Sequence, residues 1–126
     1  MNTALWISQV FLAIVFMYSG WMKSTRSERR LVETGQTGVE GLQMVSIRFI
    51  GISELLGATG LIVPWVSKIL PVLTPLSALC LGLIMVLAAR IHYKRNEKKT
   101  VLGNLVLLLL CLFVAYGRLI ALPIYQ

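Results

Sequence analysis

Long apolar runs alternate with short polar segments along the chain, and these runs determine its predicted architecture. A bilayer core about 30 Å thick is spanned by roughly 20 apolar residues of helix. Four runs have about that length, at residues 3–22, 46–63, 72–91 and 101–122. The pattern therefore predicts an all-α integral membrane protein, a four-helix bundle that forms a single domain over residues 1–126.

The connections between the runs differ in length and polarity. Pro64 and Pro71 bracket a tight connection between the second and third helices. The segment 23–45 is longer and polar, too short for a second domain, and its EGLQMVS end is compatible with an early start of the second helix. The first run has no basic stretch before it and no small-residue cleavage site after it, so we interpret it as a retained helix.

Composition favours a lipid environment and argues against several other classes of protein. Of the 126 residues, 57% are hydrophobic and 13% are charged, with a mean hydropathy of +0.81, which is more apolar surface than a soluble domain of this size buries. Cys80 and Cys111 lie in apolar runs without a CxxC motif, and the lone His92 completes no usual zinc site with them. The sequence contains neither a dinucleotide-binding glycine motif after a strand nor a P-loop.

The net charge of +7 is explained by membrane topology better than by nucleic-acid binding. Ten of the twelve lysines and arginines lie in or beside two connections on one side, and only Lys68 and Arg118 lie toward the other. Because basic loops are retained in the cytoplasm, we predict that the first and third connections are cytoplasmic and that both termini lie outside. The membrane is expected to be a bacterial cytoplasmic membrane. We expect contact with anionic lipid and no nucleic-acid partner.

Four motifs connect the sequence with a known family. YSGWMK closes the first helix, RFIGISELLGATGLIVP lies in the second, AARIHY ends the third, and NLVLLLLCLFVAYGR lies in the fourth. In these motifs, over nearly its whole length, the chain resembles the DoxX-like family of small four-helix membrane proteins. The resemblance implies a family named after a membrane subunit of a thiosulfate:quinone oxidoreductase, within a wider superfamily that includes membrane-protein assembly factors. The resemblance thus implies the fold and a link to redox systems without fixing an activity.

Two charged residues inside the second run are the first candidates for function. Glu54 is the only acid in a predicted span and shares one helical face with Gly51 and Gly57. Small residues at this spacing permit close helix packing, so we expect Glu54 to point into the bundle, either as a packing anchor or as a ligand- or proton-handling carboxylate. Arg48 either extends to the membrane surface or contributes to a pocket, and a direct pair with Glu54 on the same helix is awkward. A nearby Arg48 or a protonated His92 would nevertheless favour the charged form of Glu54.

Polar side chains of the other three helices lie at the same predicted depth. His92 ends the third helix on an inward stripe, either as a hydrogen-bonded interfacial residue or as a group that exchanges protons near neutral pH. Asn104 begins the fourth helix on a similar stripe, where an amide either fixes helix packing or binds a carbonyl group. Tyr18 and Lys23 lie near the end of the first helix. The simpler interpretations are that Tyr18 is an interfacial aromatic residue and that Lys23 is a charge that sets the topology. Their common depth nevertheless predicts one polar cluster.

We therefore predict a cavity in the cytoplasmic half of the bundle that binds a lipophilic ligand, with a quinone or a lipid as the implied cofactor. The predicted ligand-binding residues are Tyr18, Lys23, Arg48, Glu54, His92 and Asn104. No self-contained catalytic or redox centre is evident in the sequence. Three roles stay open: a ligand-binding protein that serves a redox system, a subunit of a quinone-linked oxidoreductase, and a non-enzymatic assembly protein whose cluster locks the bundle. A homo-oligomer or a membrane redox partner is compatible with each.

Overall fold

The structure, a computed structural model, describes residues 2–121. Five helices follow one another in this part of the chain: α1 (Asn2–Thr25), α2 (Glu28–Glu33), α3 (Met44–Ser67), α4 (Leu73–Lys94) and α5 (Lys98–Tyr116). A 3₁₀ turn at Thr37–Val39 precedes α3, and a π-helical turn at Gly117–Ala121 follows α5. Residues 2–121 contain no β-strand, which confirms the all-α prediction.

Four of the helices, α1, α3, α4 and α5, are long and apolar enough to cross a membrane. Their outward faces carry large apolar side chains that are 61% to 70% exposed, among them Ile14, Leu56, Leu83 and Leu109. Exposure of so much apolar surface is unfavourable in water and suits a lipid solvent. The protein is therefore an integral membrane bundle. We call the end with the segment 26–43 and the α4–α5 connection the basic end, and the other the opposite end.

The four long helices pack around a common core. α1 packs mainly against α3 and α4 against α5, while contacts between α3 and α4 and between α1 and α5 close the bundle. A Cβ atom added to Gly20 of α1 would lie 2.7 Å from the backbone oxygen of Gly51 in α3. The absence of side chains at these two positions therefore permits the close approach of α1 and α3, as the small-residue face of the second run predicts. The buried core consists of Leu12, Phe16, Ala58, Leu61, Ala78, Leu81, Met85, Cys111, Val114 and Ala115.

Helix α3 continues past Pro64 to Ser67, whereas the sequence predicts an end near residue 63. A proline inside a helix leaves the carbonyl four residues earlier without its usual N–H donor. In this bundle that carbonyl belongs to Gly60, and Thr74 Oγ1 of α4 donates a 2.9 Å hydrogen bond to it. The neighbouring helix thus satisfies the polar group that Pro64 leaves open. The other spans agree with prediction to within a few residues, although residue 122 lies outside the described part.

The segment between α1 and α3 is folded, whereas the sequence predicts only a polar loop. Ser27 caps the start of helix α2, and its Oγ accepts a 3.2 Å hydrogen bond from the backbone N–H of Arg30. Leu31 and Val39 of this segment pack with bundle residues in a small second core. The segment 26–43 therefore folds back over the basic end, where it contributes to the candidate site.

Candidate functional site at the basic end

A buried ion pair joins α1 and α3 near the basic end. Lys23 Nζ lies 2.6 Å from Glu54 Oε1, and the Glu54 side chain is fully buried while that of Lys23 is 13% exposed. Glu54 points into the bundle as predicted. Its cationic partner is Lys23, rather than Arg48 or His92, the two cations that the sequence suggested could act on it. Arg48 lies about 9 Å along the same helix, whereas the close packing of α1 and α3 brings Lys23 within reach.

Arg48 holds the end of α1 and lies beside the pair. Its Nη1 donates to the backbone carbonyls of Lys23 at 2.7 Å and Arg26 at 2.6 Å. Carbonyls at the end of a helix carry partial negative charge, so a cation stabilises them. Arg48 thus fixes the end of α1 from which Lys23 reaches Glu54. A ligand contact by Arg48 stays a prediction.

A cavity of about 220 Å³ lies between the four long helices at this end. We call it the polar cavity. Its lining includes five of the six predicted ligand-binding residues, Tyr18, Lys23, Glu54, His92 and Asn104. Arg48 is not part of this lining. Gly35 and Gln36 of the segment 26–43 also line the cavity, a contribution that the helix pattern did not predict.

Two buried polar atoms of the cavity residues have no hydrogen-bond partner within residues 2–121. They are Glu54 Oε2 and Asn104 Nδ2. A carboxylate oxygen accepts hydrogen bonds and an amide nitrogen donates them, so the two atoms are complementary in kind. Buried polar groups in proteins are nearly always satisfied by protein, water or ligand. Within the described part of the chain, the lining of the polar cavity therefore includes one residue with a free acceptor atom and one with a free donor atom.

His92 is linked to a loop carboxylate. His92 Nδ1 lies 2.9 Å from Glu97 Oε1, and Thr37 Oγ1 donates a 2.6 Å hydrogen bond to Glu97 Oε2. The hydrogen bonds from Thr37 and His92, with a weaker one from Arg95, outweigh the effect of burial and lower the pKa of Glu97 to about 2. An ionised carboxylate has no proton to give, so the shared hydrogen belongs to His92 Nδ1.

These contacts also attach the segment 26–43 to the α4–α5 connection. Arg95 donates to Glu97 Oε1 at 3.0 Å and to Glu40 Oε2 at 3.5 Å. Together with Thr37 and His92, they form what we call the Glu97 latch. Because Gln36 lies next to Thr37, the Glu97 latch positions the wall that this segment adds to the polar cavity.

A second, apolar cavity of about 200 Å³ adjoins the polar cavity. The two share Lys23, Gln36, Ala88 and His92. The rest of the second lining is almost entirely apolar: Val39, Leu42, Phe49, Ile50, Ser53, Ile84, Leu87 and Ile91. Phe49 and Leu87 are also exposed on the outer surface of the bundle. The apolar cavity therefore lies beside the lipid-facing surface between α3 and α4.

The thiols lie apart from the polar cavity. Cys80 is exposed and Cys111 is buried in the core, and both are free. Within residues 2–121, no group of three or more His, Cys, Asp and Glu side chains has the arrangement to hold a metal ion. Beside apolar side chains such as Phe16 and Met85, the polar cavity presents hydrogen-bonding side chains and one ion pair.

A second polar cluster, at the opposite end, was not predicted. Arg118 is buried there and donates to the side-chain oxygens of Gln9 and Asn2. Charge counting assigns Arg118 to topology alone, although it continues the inward stripe that begins at Asn104. Asn2 and Gln9, two polar residues near the start of the first apolar run, were the corresponding signal on α1.

Fold and cavity together define a class: a small integral membrane protein whose four-helix bundle encloses a polar cavity at its basic end. The sequence model of the DoxX-like family matches residues 7–114, and the chain belongs to that family. The matched range contains all six predicted ligand-binding residues and ends before Arg118. Neither the comparison with curated proteins nor that with solved structures gives a match.

Proposed function

We propose that the polar cavity binds a small lipophilic molecule that carries hydroxyl or carbonyl groups, either quinone-like or lipid-like. The observation that supports this most is the complementary pair of buried atoms, Glu54 Oε2 and Asn104 Nδ2. A ligand hydroxyl would donate to Glu54, and a ligand carbonyl or hydroxyl oxygen would accept from Asn104. The quinol form of a quinone offers both kinds of group.

The adjoining apolar cavity supports an amphipathic ligand. Two cavities of about 220 and 200 Å³ that share part of their lining provide a polar and an apolar compartment. Together they reach the lower part of the roughly 300–1,000 Å³ range of small-molecule sites. The polar group would lie near Glu54 and the apolar part near Phe49, where a molecule dissolved in the bilayer would enter sideways.

A role in a membrane redox system extends this proposal. His92 shares its Nδ1 hydrogen with Glu97, so its other ring nitrogen is available for proton exchange with a bound quinol. The electrons would pass to a partner chain or a cofactor supplied by it. In the predicted orientation the basic end is cytoplasmic, and the ligand would be reached from the inner leaflet.

The proposal is tested by a native mass spectrum of gently solubilised protein, together with binding of a short-chain benzoquinone and of a phospholipid. Asn104→Leu removes the donor without adding charge, and we expect it to lose the co-purified mass. Thr59→Val is the matched control, because Thr59 is exposed on α3 and bonds only to its own helix at Leu55. Equal occupancy in Asn104→Leu and wild type would exclude this cavity as the binding site.

The alternative function is a structural one, in which the polar groups lock the bundle of an assembly or interaction protein. The 2.6 Å Lys23–Glu54 pair favours it, because that contact ties α1 to α3 without any ligand. Glu54→Gln separates the two functions, since glutamine keeps the size and hydrogen bonding of the side chain and cannot ionise. Folded Glu54→Gln protein without the lipophile supports a binding anion. Full retention of the lipophile supports the lock.

A further inference from the structure

A buried guanidinium at the opposite end has no part in the proposed function. Arg118 lies in the π-helical turn after α5 and is only 3% exposed. Its Nε donates to Gln9 Oε1 at 2.6 Å, and its Nη1 donates to Asn2 Oδ1 at 2.8 Å. The ring centroids of Trp6 and Trp65 lie 5.3 and 4.7 Å from Arg118 Cζ, within the range of cation–π contacts.

Neighbouring helices hold this guanidinium in one orientation. Gln9 Nε2 of α1 donates a 2.6 Å hydrogen bond to the Leu61 carbonyl of α3, which leaves Gln9 Oε1 directed at Arg118. Gly117 permits the close approach, since a Cβ atom there would collide with the Leu5 side chain of α1. Arg118 is therefore fixed by two other helices before any ligand binds, which favours recognition of a planar or tetrahedral anion.

The positive charge of Arg118 has no carboxylate partner within residues 2–121. Glu54, one of the five acidic residues of the chain, pairs with Lys23. The other four lie in the segments at the basic end: Glu28, Glu33, Glu40 and Glu97. Gln9 and Asn2 are neutral acceptors, and Arg118 Nη2 is buried without a hydrogen-bond partner in the described range. Burial of a charge is costly unless an opposite charge accompanies it, and cation–π contacts offset only part of that cost.

We propose that Arg118 binds an oxyanion of the phosphate or carboxylate class through Nη2. Arginine matches such groups because its planar donors form short, charge-assisted hydrogen bonds with them. Tryptophan is enriched at the level of lipid headgroups, and Trp6 and Trp65 lie at this end of the bundle. The anion is therefore the phosphate of a lipid headgroup or a soluble phosphate at the same level. This site is at the other end of the bundle from the polar cavity and does not depend on its ligand.

The test uses delipidated protein in a neutral detergent. Thermal unfolding is followed by tryptophan fluorescence during titration with inorganic phosphate at constant ionic strength, and separately with phosphatidylglycerol in mixed micelles. We expect the unfolding temperature of the wild type to rise in at least one series. Arg118→Lys keeps the charge but not the planar donors, so its apparent affinity should fall at least about tenfold. Lys68→Gln is the matched control, because it removes an exposed cation at the same end.

The two series distinguish the source of the anion. A response to phosphatidylglycerol alone identifies a lipid headgroup, a response to inorganic phosphate alone identifies a soluble anion, and both together identify a site that accepts either. Arg118→Gln should abolish the response. If Arg118→Gln does not fold, the comparison of Arg118→Lys with the wild type is the test. The proposal is overturned if the wild type responds to neither, if Arg118→Lys binds with unchanged affinity, or if Lys68→Gln weakens binding as much as Arg118→Lys.

Discussion

The Lys23–Glu54 pair can be tested by replacing each partner with an apolar residue of similar length. The variants are Lys23→Met, Glu54→Leu and the double replacement. Removal of one partner leaves the other charge buried alone, and such changes cost about 3–5 kcal/mol of unfolding free energy. Replacement of both partners removes both charges and is often neutral. The Arg48 side chain donates to the backbone carbonyl of residue 23, and none of these substitutions removes that carbonyl.

The two single changes should differ in magnitude. Lys23→Met leaves a carboxylate that is fully buried, whereas Glu54→Leu leaves a lysine that is already 13% exposed. A lysine chain can extend its ammonium group toward water, but the Glu54 side chain is too short to do so. We therefore expect a loss of about 5 kcal/mol for Lys23→Met and about 3 kcal/mol for Glu54→Leu. The double variant should lie within about 1 kcal/mol of the wild type.

Unfolding in mixed micelles of increasing SDS content gives these free energies at one temperature. The matched control is the Arg29–Glu33 pair of α2, which joins side chains that are 90% and 57% exposed at 3.3 Å. Its coupling energy should stay below about 0.5 kcal/mol, as is usual for exposed pairs at this spacing. Additive losses in the Lys23–Glu54 cycle, with a double variant as unstable as the sum of the single ones, would refute the buried-pair interpretation.

Three further predictions concern the packing, the Glu97 latch and the orientation. Gly51→Ala would place a Cβ atom 2.8 Å from both Lys23 Cβ and the backbone nitrogen of Ser24. We therefore expect the unfolding free energy to fall by about 1–3 kcal/mol in the same assay. The control Gly103→Ala meets nothing within 4 Å and should be neutral or slightly stabilising. The pKa of Glu97 is lowered from 4.5 to about 2. The stabilisation of the fold by ionised Glu97 is therefore complete above about pH 5 and is lost as pH falls toward 2. Glu97→Gln removes this titration, so its thermal stability should depend less on pH in that window. If the basic end is cytoplasmic, Asn96→Cys in a cysteine-free background will not react with an impermeant maleimide added to intact cells. Ile69→Cys will react, and the reverse result would contradict the topology.

The spans and the inward position of Glu54 were predictable because both depend on single helices. Hydropathy over about 20 residues needs no knowledge of neighbours, and the spacing of Gly51 and Gly57 marks the packed face of α3 by itself. The depth of the polar residues along their helices follows from the same count of residues. This is why five of the six predicted site residues line one cavity.

Pairings between helices were not predictable in the same way. The hydrogen bond from Thr74 to the Gly60 carbonyl depends on how α4 packs against α3. Without knowledge of that contact, hydropathy predicts that α3 ends at Pro64. The Glu97 latch joins residues 60 positions apart through a segment whose only local signal is the Ser27 cap of α2. The identity of the partner of Glu54 belongs to the same category, because it is decided by the distance between α1 and α3.

The geometry of Glu54 allows one residue to serve both the packing of the bundle and the binding of a ligand. Its Oε1 is held by Lys23 at 2.6 Å, whereas its Oε2 has no partner within residues 2–121. A residue whose only role was to lock α1 to α3 would need Oε1 alone, and leaving the second oxygen buried without a donor is unfavourable. The nearby lysine also offsets part of the cost of placing a carboxylate in a membrane interior, where an isolated charge is expensive. Under the proposed function, the ion pair would support an acceptor for the ligand, and the structural role and the binding role of Glu54 are therefore compatible.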